Sequence, residues 1–175
     1  MVIDEGDIIT AGGILAWADL GLVLVERLLG PGVMLATARF LLIDPPRRHQ
    51  HVYKAFLPKL DHRDAAIRRV QHDLHARHAE PQSVAEMAAL AGLTDRTFLR
   101  RFQKATGLRP TEYLQQVRVM KARDALELIN QPVDQIAWSV GYNDAAAFRK
   151  VFQRLTGVAP NFYRQRFAIG RAAGA

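Results

Sequence analysis

The 175-residue chain sets 24 Lys and Arg against 17 Asp and Glu, a net charge of +7, and has no cysteine. That length can hold one medium domain or two small ones, each with its own core. The absence of cysteine excludes a disulfide framework, a thiolate metal site and a cysteine nucleophile, and it fits a reducing cytoplasm.

The first element is a short strand, DIITA, ending in a turn at Gly12 and Gly13. Residues 14–29 then have helical apolar spacing and stop at the breaker Gly30-Pro31-Gly32. This run carries Asp19, Glu26 and Arg27, so it is no membrane span, and the acidic start MVIDEGD lacks the basic region of a secretory signal. A second helix over 33–43 ends at Asp44-Pro45-Pro46, followed by the basic stretch RRHQH. One strand and two helices cannot build a sheet, so residues 1–60 read as the end of something larger.

From residue 61 onward the texture is helix after helix. Asp61 is the expected cap of a helix reaching about His78, with Ile67, Val70 and Leu74 inward. Ser83 to Glu86 is a capping box that starts a short helix ending at Gly92, with Val84, Met87, Ala88 and Ala91 on one side. Thr94 caps the next helix, which Gly107 closes. A long helix runs from Pro110-Thr111 to about Asn130, a short one from Pro132 to Val140, and Asn143 caps a last one ending at Gly157.

FLRRFQKATG at 98–107 returns as FRKVFQRLTG at 148–157, inside a longer repeat. Val84, Met87, Ala88, Gly92 and Leu93 answer to Val133, Ile136, Ala137, Gly141 and Tyr142 at an offset of 49. Phe98, Phe102, Gln103, Thr106, Gly107, Pro110 and Tyr113 meet their counterparts at an offset of 50. Each unit is a short helix, a glycine turn and a second helix, the helix-turn-helix pattern, and the glycine turns the chain where a side chain would meet the neighbouring helix.

With Phe98 and Phe102 inward, Arg96, Arg100, Gln103 and Lys104 face out and Thr97 lies at the edge. In the second copy Phe148 and Phe152 go inward, while Ala146, Lys150, Gln153 and Arg154 face out, flanked by Arg149. A solvated charged face is the bland reading of one such helix; two in the same context favour a face for the DNA major groove. The charge distribution agrees. Residues 1–60 hold six basic and six acidic residues, and 61–175 hold eighteen and eleven, so all of the excess is in the second part. It points to a polyanion, nucleic acid before membrane, although a merely basic surface would also account for it. A spacer of twenty residues is about 30 Å long, near the roughly 34 Å between major-groove segments on one face of B-DNA.

Residues 64–165 resemble the C-terminal DNA-binding domain of AraC/XylS-type bacterial transcription regulators, the second copy PVDQIAWSVGYNDAAAFRKVFQRLTGVAPNFYR most closely. The resemblance implies an all-α main domain of seven helices, two helix-turn-helix lobes joined by a long linker helix. By position it implies that Arg96, Leu99 and Arg100 face bases from one recognition helix, and Ala146, Arg149 and Lys150 from the other. Leucine and alanine are poor hydrogen-bonding readers, so the second lobe is expected to give phosphate contacts and shape fit more than base specificity. Arg100 and Arg96 are expected on guanine edges, with Lys104, Arg149, Lys150 and Arg154 mostly on phosphates. Thr97, Gln103 and Asn143 complete the candidate DNA-binding set.

The stretch DIITAGGILAWADLGLVLVERLLGPGVMLATARFLLIDPPRRHQ resembles the end of a ThiJ/PfpI-type, glutamine-amidotransferase-like domain, some of which precede AraC-type domains. It implies the last strand and closing helices of a truncated α/β domain, without its nucleophile cysteine. The expected organisation is this remnant at 1–60, the double helix-turn-helix domain at 61–168 and a flexible tail at 169–175.

The expected function is a sequence-specific, double-stranded-DNA-binding transcription regulator, soluble and cytoplasmic, without enzymatic activity or cofactor. RNA polymerase is a further candidate partner, and a homodimer could form through the front piece. The alternatives are a ThiJ/PfpI-like enzyme or metabolite-binding module, and a protein-interaction fragment whose orphaned helices expose apolar surface. His72, His75 and His78 recur every third residue, with His49 and His51 upstream. They drift around the axis and read as a wet helix end before a metal site. Trp17 and Trp138 are expected in the core before a ligand-stacking role.

Overall fold

The computed structural model describes residues 2–4, 8–12, 16–43 and 56–168. Gly13, the 44–51 breaker and basic stretch, His49, His51 and the 169–175 tail lie outside the described residues. The chain divides into two compact units, Met1–Tyr53 and Lys54–Ala175.

In the first unit β1 (Val2–Asp4) pairs antiparallel with β2 (Ile9–Ala11), Ile3 opposite Thr10. The single expected strand is thus half of a hairpin; three residues are too few to show an alternating pattern. Helix α1 (Ala16–Leu29) is followed by α2 (Pro31–Phe40), which starts two residues earlier than expected. Gly30 turns the chain at φ 87° and Pro31 supplies the preset φ of a first helical residue. Leu22 of α1 meets Met34 and Ala38 of α2 in a small core, with Val25, Leu35 and Ile43 around it. Trp17 is 68% exposed, against the expectation of a core position.

The second unit holds seven helices among the described residues: α3 (Ala65–Ala76), α4 (Val84–Ala91), α5 (Asp95–Thr106), α6 (Pro110–Leu128), α7 (Val133–Ser139), α8 (Ala145–Thr156) and α9 (Pro160–Phe167). The local signals explain most boundaries. Ser83 and Glu86 close the capping box, and Gly92, Gly107 and Gly157 end their helices in the left-handed region.

Three caps differ from expectation. Asp64, not Asp61, caps α3 by accepting from the Ile67 amide at 3.2 Å. Asp144, not Asn143, caps α8, one oxygen each for the Ala146 and Ala147 amides at 2.8 and 3.1 Å. Thr94 precedes α5, but its hydroxyl goes to the Thr97 hydroxyl at 3.1 Å and caps no amide. The linker α6 has 19 residues, about 28 Å of helix.

The first lobe closes around Ile67, Val70 and Leu74 of α3, Met87 and Ala88 of α4, Phe98 and Phe102 of α5, and Tyr113 and Val117 of α6. In the second lobe Leu126, Ile136, Ala137, Phe148, Phe152 and Tyr163 are buried. Thr106 Oγ1 donates to the Phe102 carbonyl at 2.8 Å and accepts from the Leu108 amide at 3.2 Å; Thr156 repeats this with Phe152 and Val158 at 2.8 and 3.4 Å. Trp138 departs from the expected core: α7 buries Val133, Ile136 and Ala137 on one side and leaves the indole 59% exposed on another.

Candidate nucleic-acid interface

Helices α5 and α8 are each the second helix of a helix-turn-helix unit. Each is fixed by two buried phenylalanines on one side, and this decides which residues can face outward. On α5, Arg96, Leu99, Arg100, Gln103 and Lys104 are exposed and Thr97 is half-buried against Thr94. On α8 and its approach, Asn143, Ala146, Arg149, Lys150, Gln153 and Arg154 are exposed.

The two faces differ in how their cations are held. Arg96, Arg100 and Lys104 have no acidic partner among the described residues, and neither has Lys150. Arg149, by contrast, is paired through Nη2 with Oδ1 of Asp134 on α7. Arg154 Nη2 donates to Gln115 Oε1 on α6 at 2.7 Å. The first face is therefore open and cationic. On the second, Lys150 stands alone beside two tethered arginines.

Three contacts support these helices, and of them only the turn glycine Gly141 is legible in the sequence. Asp64, while capping α3, also accepts two hydrogen bonds from Arg101 of α5, from Nε at 2.9 Å and Nη2 at 2.7 Å. The Arg101 guanidinium holds the Asp64 carboxyl below its ordinary value, so the fork stays ionised and pins α5 to the start of the unit. Arg118 of α6 donates from Nε to the His78 carbonyl at 2.8 Å and from Nη2 to that of Glu80 at 3.1 Å, with its guanidinium over the Tyr142 ring. It links the loop after α3 to the turn before α8. Gly141 completes that junction, because a Cβ there would lie 2.5 Å from the Ala79 carbonyl oxygen.

The histidine row does not form a wet helix end. His75 Nε2 lies 2.9 Å from the Tyr113 hydroxyl, which also receives Gln71 Nε2 at 3.1 Å. Burial lowers the His75 value and raises that of Tyr113, so both are neutral near pH 7 and the phenol donates to the imidazole. His78 Nδ1 meets the His75 carbonyl at 3.1 Å, and of the three only His72 is exposed. No helix among the described residues is long and apolar enough to cross a membrane.

Residues 87–166 match the family described as helix-turn-helix domain. The transcriptional activator RhaS of an Enterobacter species is 32% identical over 106 residues, which is 61% of this chain and 38% of that protein. A putative AraC-like transcription regulator of Streptomyces antibioticus is 35% identical over 92 residues, 53% of this chain and 30% of that one. The chain spans between 25% and 38% of the length of such curated relatives. Among solved structures, the DNA-binding domain of the global transcriptional factor AdpA, in complex with a target DNA, is 32% identical with a TM-score of 0.58, covering 62% of this chain and 98% of that domain.

Proposed function

We propose that this chain, whose residues 87–166 belong to the AraC-type helix-turn-helix domains, is a sequence-specific, double-stranded-DNA-binding transcription regulator with no enzymatic activity. The observation that carries the reading is the open cationic face of α5: Arg96, Arg100 and Lys104 are exposed and have no acid among the described residues to neutralise them. Unpaired guanidinium forks on a helix whose other side is locked by Phe98 and Phe102 suit guanine edges in the major groove. The target DNA bound by the AdpA domain supports the same use of this fold.

In this reading Arg100 and Arg96 contact bases, with Thr97, Leu99 and Gln103 beside them, and Lys104 holds a phosphate. From the second lobe Lys150 and Arg154 grip the backbone near Asn143 and Ala146, and Arg149 lies at the groove. The roughly 28 Å of α6 is close to the spacing that would set the two helices in successive groove segments. The first unit belongs to this reading as the tail of a ThiJ/PfpI-type domain through which two copies could pair, and RNA polymerase is the further partner, in the cytoplasm.

Selection of bound sites from a random duplex pool tests the proposal and returns the operator. Arg100→Ala should then lose about 1 to 3 kcal/mol on that operator, the worth of one bidentate base contact, and much less on random DNA. Equal losses on both would make Arg100 a phosphate contact, and no enrichment from the pool would end the reading.

A further inference from the structure

The pair Asp134–Arg149 has no counterpart in the first lobe. The offset of 49 sets Ala85 where Asp134 stands, and the offset of 50 sets Leu99 where Arg149 stands. Acid and base are thus both peculiar to the second copy, and they meet across the α7–α8 corner at the candidate DNA face. Their side chains are 46% and 47% exposed. An ion pair that wet adds little to folding stability, so its effect is to be sought in what it does to the arginine.

Building on the DNA-binding reading above, we infer that Asp134 is a positioning residue that sets the specificity of the second lobe through Arg149. One Nη of the guanidinium is taken, which leaves Nε and the other Nη as donors. Held in this way, the arginine keeps hydrogen bonds for a base edge but cannot swing to the nearest phosphate. Its charge is also matched, so it adds little to the attraction that every duplex exerts. Lys150, one residue on and without an acid partner among the described residues, is left to the backbone. Arg154 shows the contrast, because Gln115 tethers it without cancelling its charge.

The test uses the full chain, the selected operator and a scrambled duplex of the same composition, with binding measured from 50 to 200 mM salt. Asp134→Ala frees Arg149 to find a phosphate. The scrambled duplex should bind more tightly, the salt slope should steepen by about 0.9, and the affinity lost across that salt range should deepen roughly threefold. The ratio of operator to scrambled affinity falls. Asp134→Asn keeps an acceptor without the charge, so its slope steepens while its ratio stays near wild type. In the Arg149→Ala background Asp134→Ala should change neither quantity.

An Asp134→Ala protein with wild-type slope and ratio overturns the inference, as does an unchanged effect of Asp134→Ala when Arg149 is absent. Loss of the ratio in Asp134→Asn equal to that in Asp134→Ala overturns the positioning role. The inference fails alone when Arg100→Ala still weakens the operator; if the wild-type chain binds neither duplex, the DNA-binding reading falls with it.

Discussion

Phe98, Phe102 and Tyr113 follow one another in the first lobe with ring centroids 5.4 Å apart, and Phe148, Phe152 and Tyr163 follow at 5.5 Å in the second. The polar tips of these two ladders differ. Tyr113 meets Gln71 and His75, four residues apart on α3, whereas Tyr163 accepts from Arg123 at 2.9 Å and donates to Glu127, four apart on α6. Burial first, then the Glu127 bond, pushes the Tyr163 phenol up to about 12. Close packing gives the rings no alternative, so the duplicated interior is held to a shape. A hydroxyl needs only some partner, so the chemistry at the tip and on the outer face is free to diverge.

The largest expected effect tests whether the interiors are equivalent. Phe102→Ala and Phe152→Ala each empty a fully buried ring site, and each should cost about 3 to 5 kcal/mol in urea unfolding. A loss in one lobe less than half that in the other would break the equivalence and mark that lobe as the looser one.

The turn glycines sharpen the difference. Gly92 and Gly141 are repeat counterparts with φ of 67° and 90°, yet a Cβ at Gly92 meets nothing within 4 Å while one at Gly141 meets the Ala79 backbone at 2.5 to 2.8 Å. Gly92→Ala should therefore cost only the left-handed penalty, about 1 to 2 kcal/mol. Gly141→Ala must also push the lobes apart and should cost roughly 3 kcal/mol or more. Equal melting temperatures for the two variants would show that the close approach to Ala79 does not constrain the junction.

The same contrast explains what could be read in advance. Phenylalanine spacing, the Ser83 capping box and the glycines after α4, α5 and α8 act within one or two turns, so the helices and their buried faces were legible. The caps differ from expectation where two candidates lie close together. Asp61 and Asp64 are chemically equal in the sequence, and the choice is made from 37 residues away by Arg101. Asn143 and Asp144 are adjacent, and only the aspartate places both oxygens on amides. Trp138 lies outside the core because apolar character says that a side chain prefers burial, not that a seven-residue helix has a second covered side. The outward set on α5 and α8 was legible from the helical period. The tethering of Arg149 and Arg154 was not, since Asp134 and Gln115 lie 15 and 39 residues away.

The smallest expected effect comes from the tip of the first ladder. Burial, then the charge of Lys121 and the neighbouring His72 and His78, hold His75 below its ordinary value of 6.5. The folded chain therefore takes up this proton at lower pH than the unfolded chain does. Between the two values the unfolded state binds more protons, so stability is complete above about pH 6.5, declines as the pH falls below it, and levels off once the folded form is protonated too. Protonation also removes the acceptor for the Tyr113 hydroxyl, which then has two donors aimed at it, Gln71 and the imidazolium. His75→Gln keeps an acceptor and cannot titrate. Thermal melting at pH 7.5 and 5 should show the wild type losing a few degrees more than the variant. Parallel losses would mean that the Tyr113 tip carries no proton linkage between these two pH values.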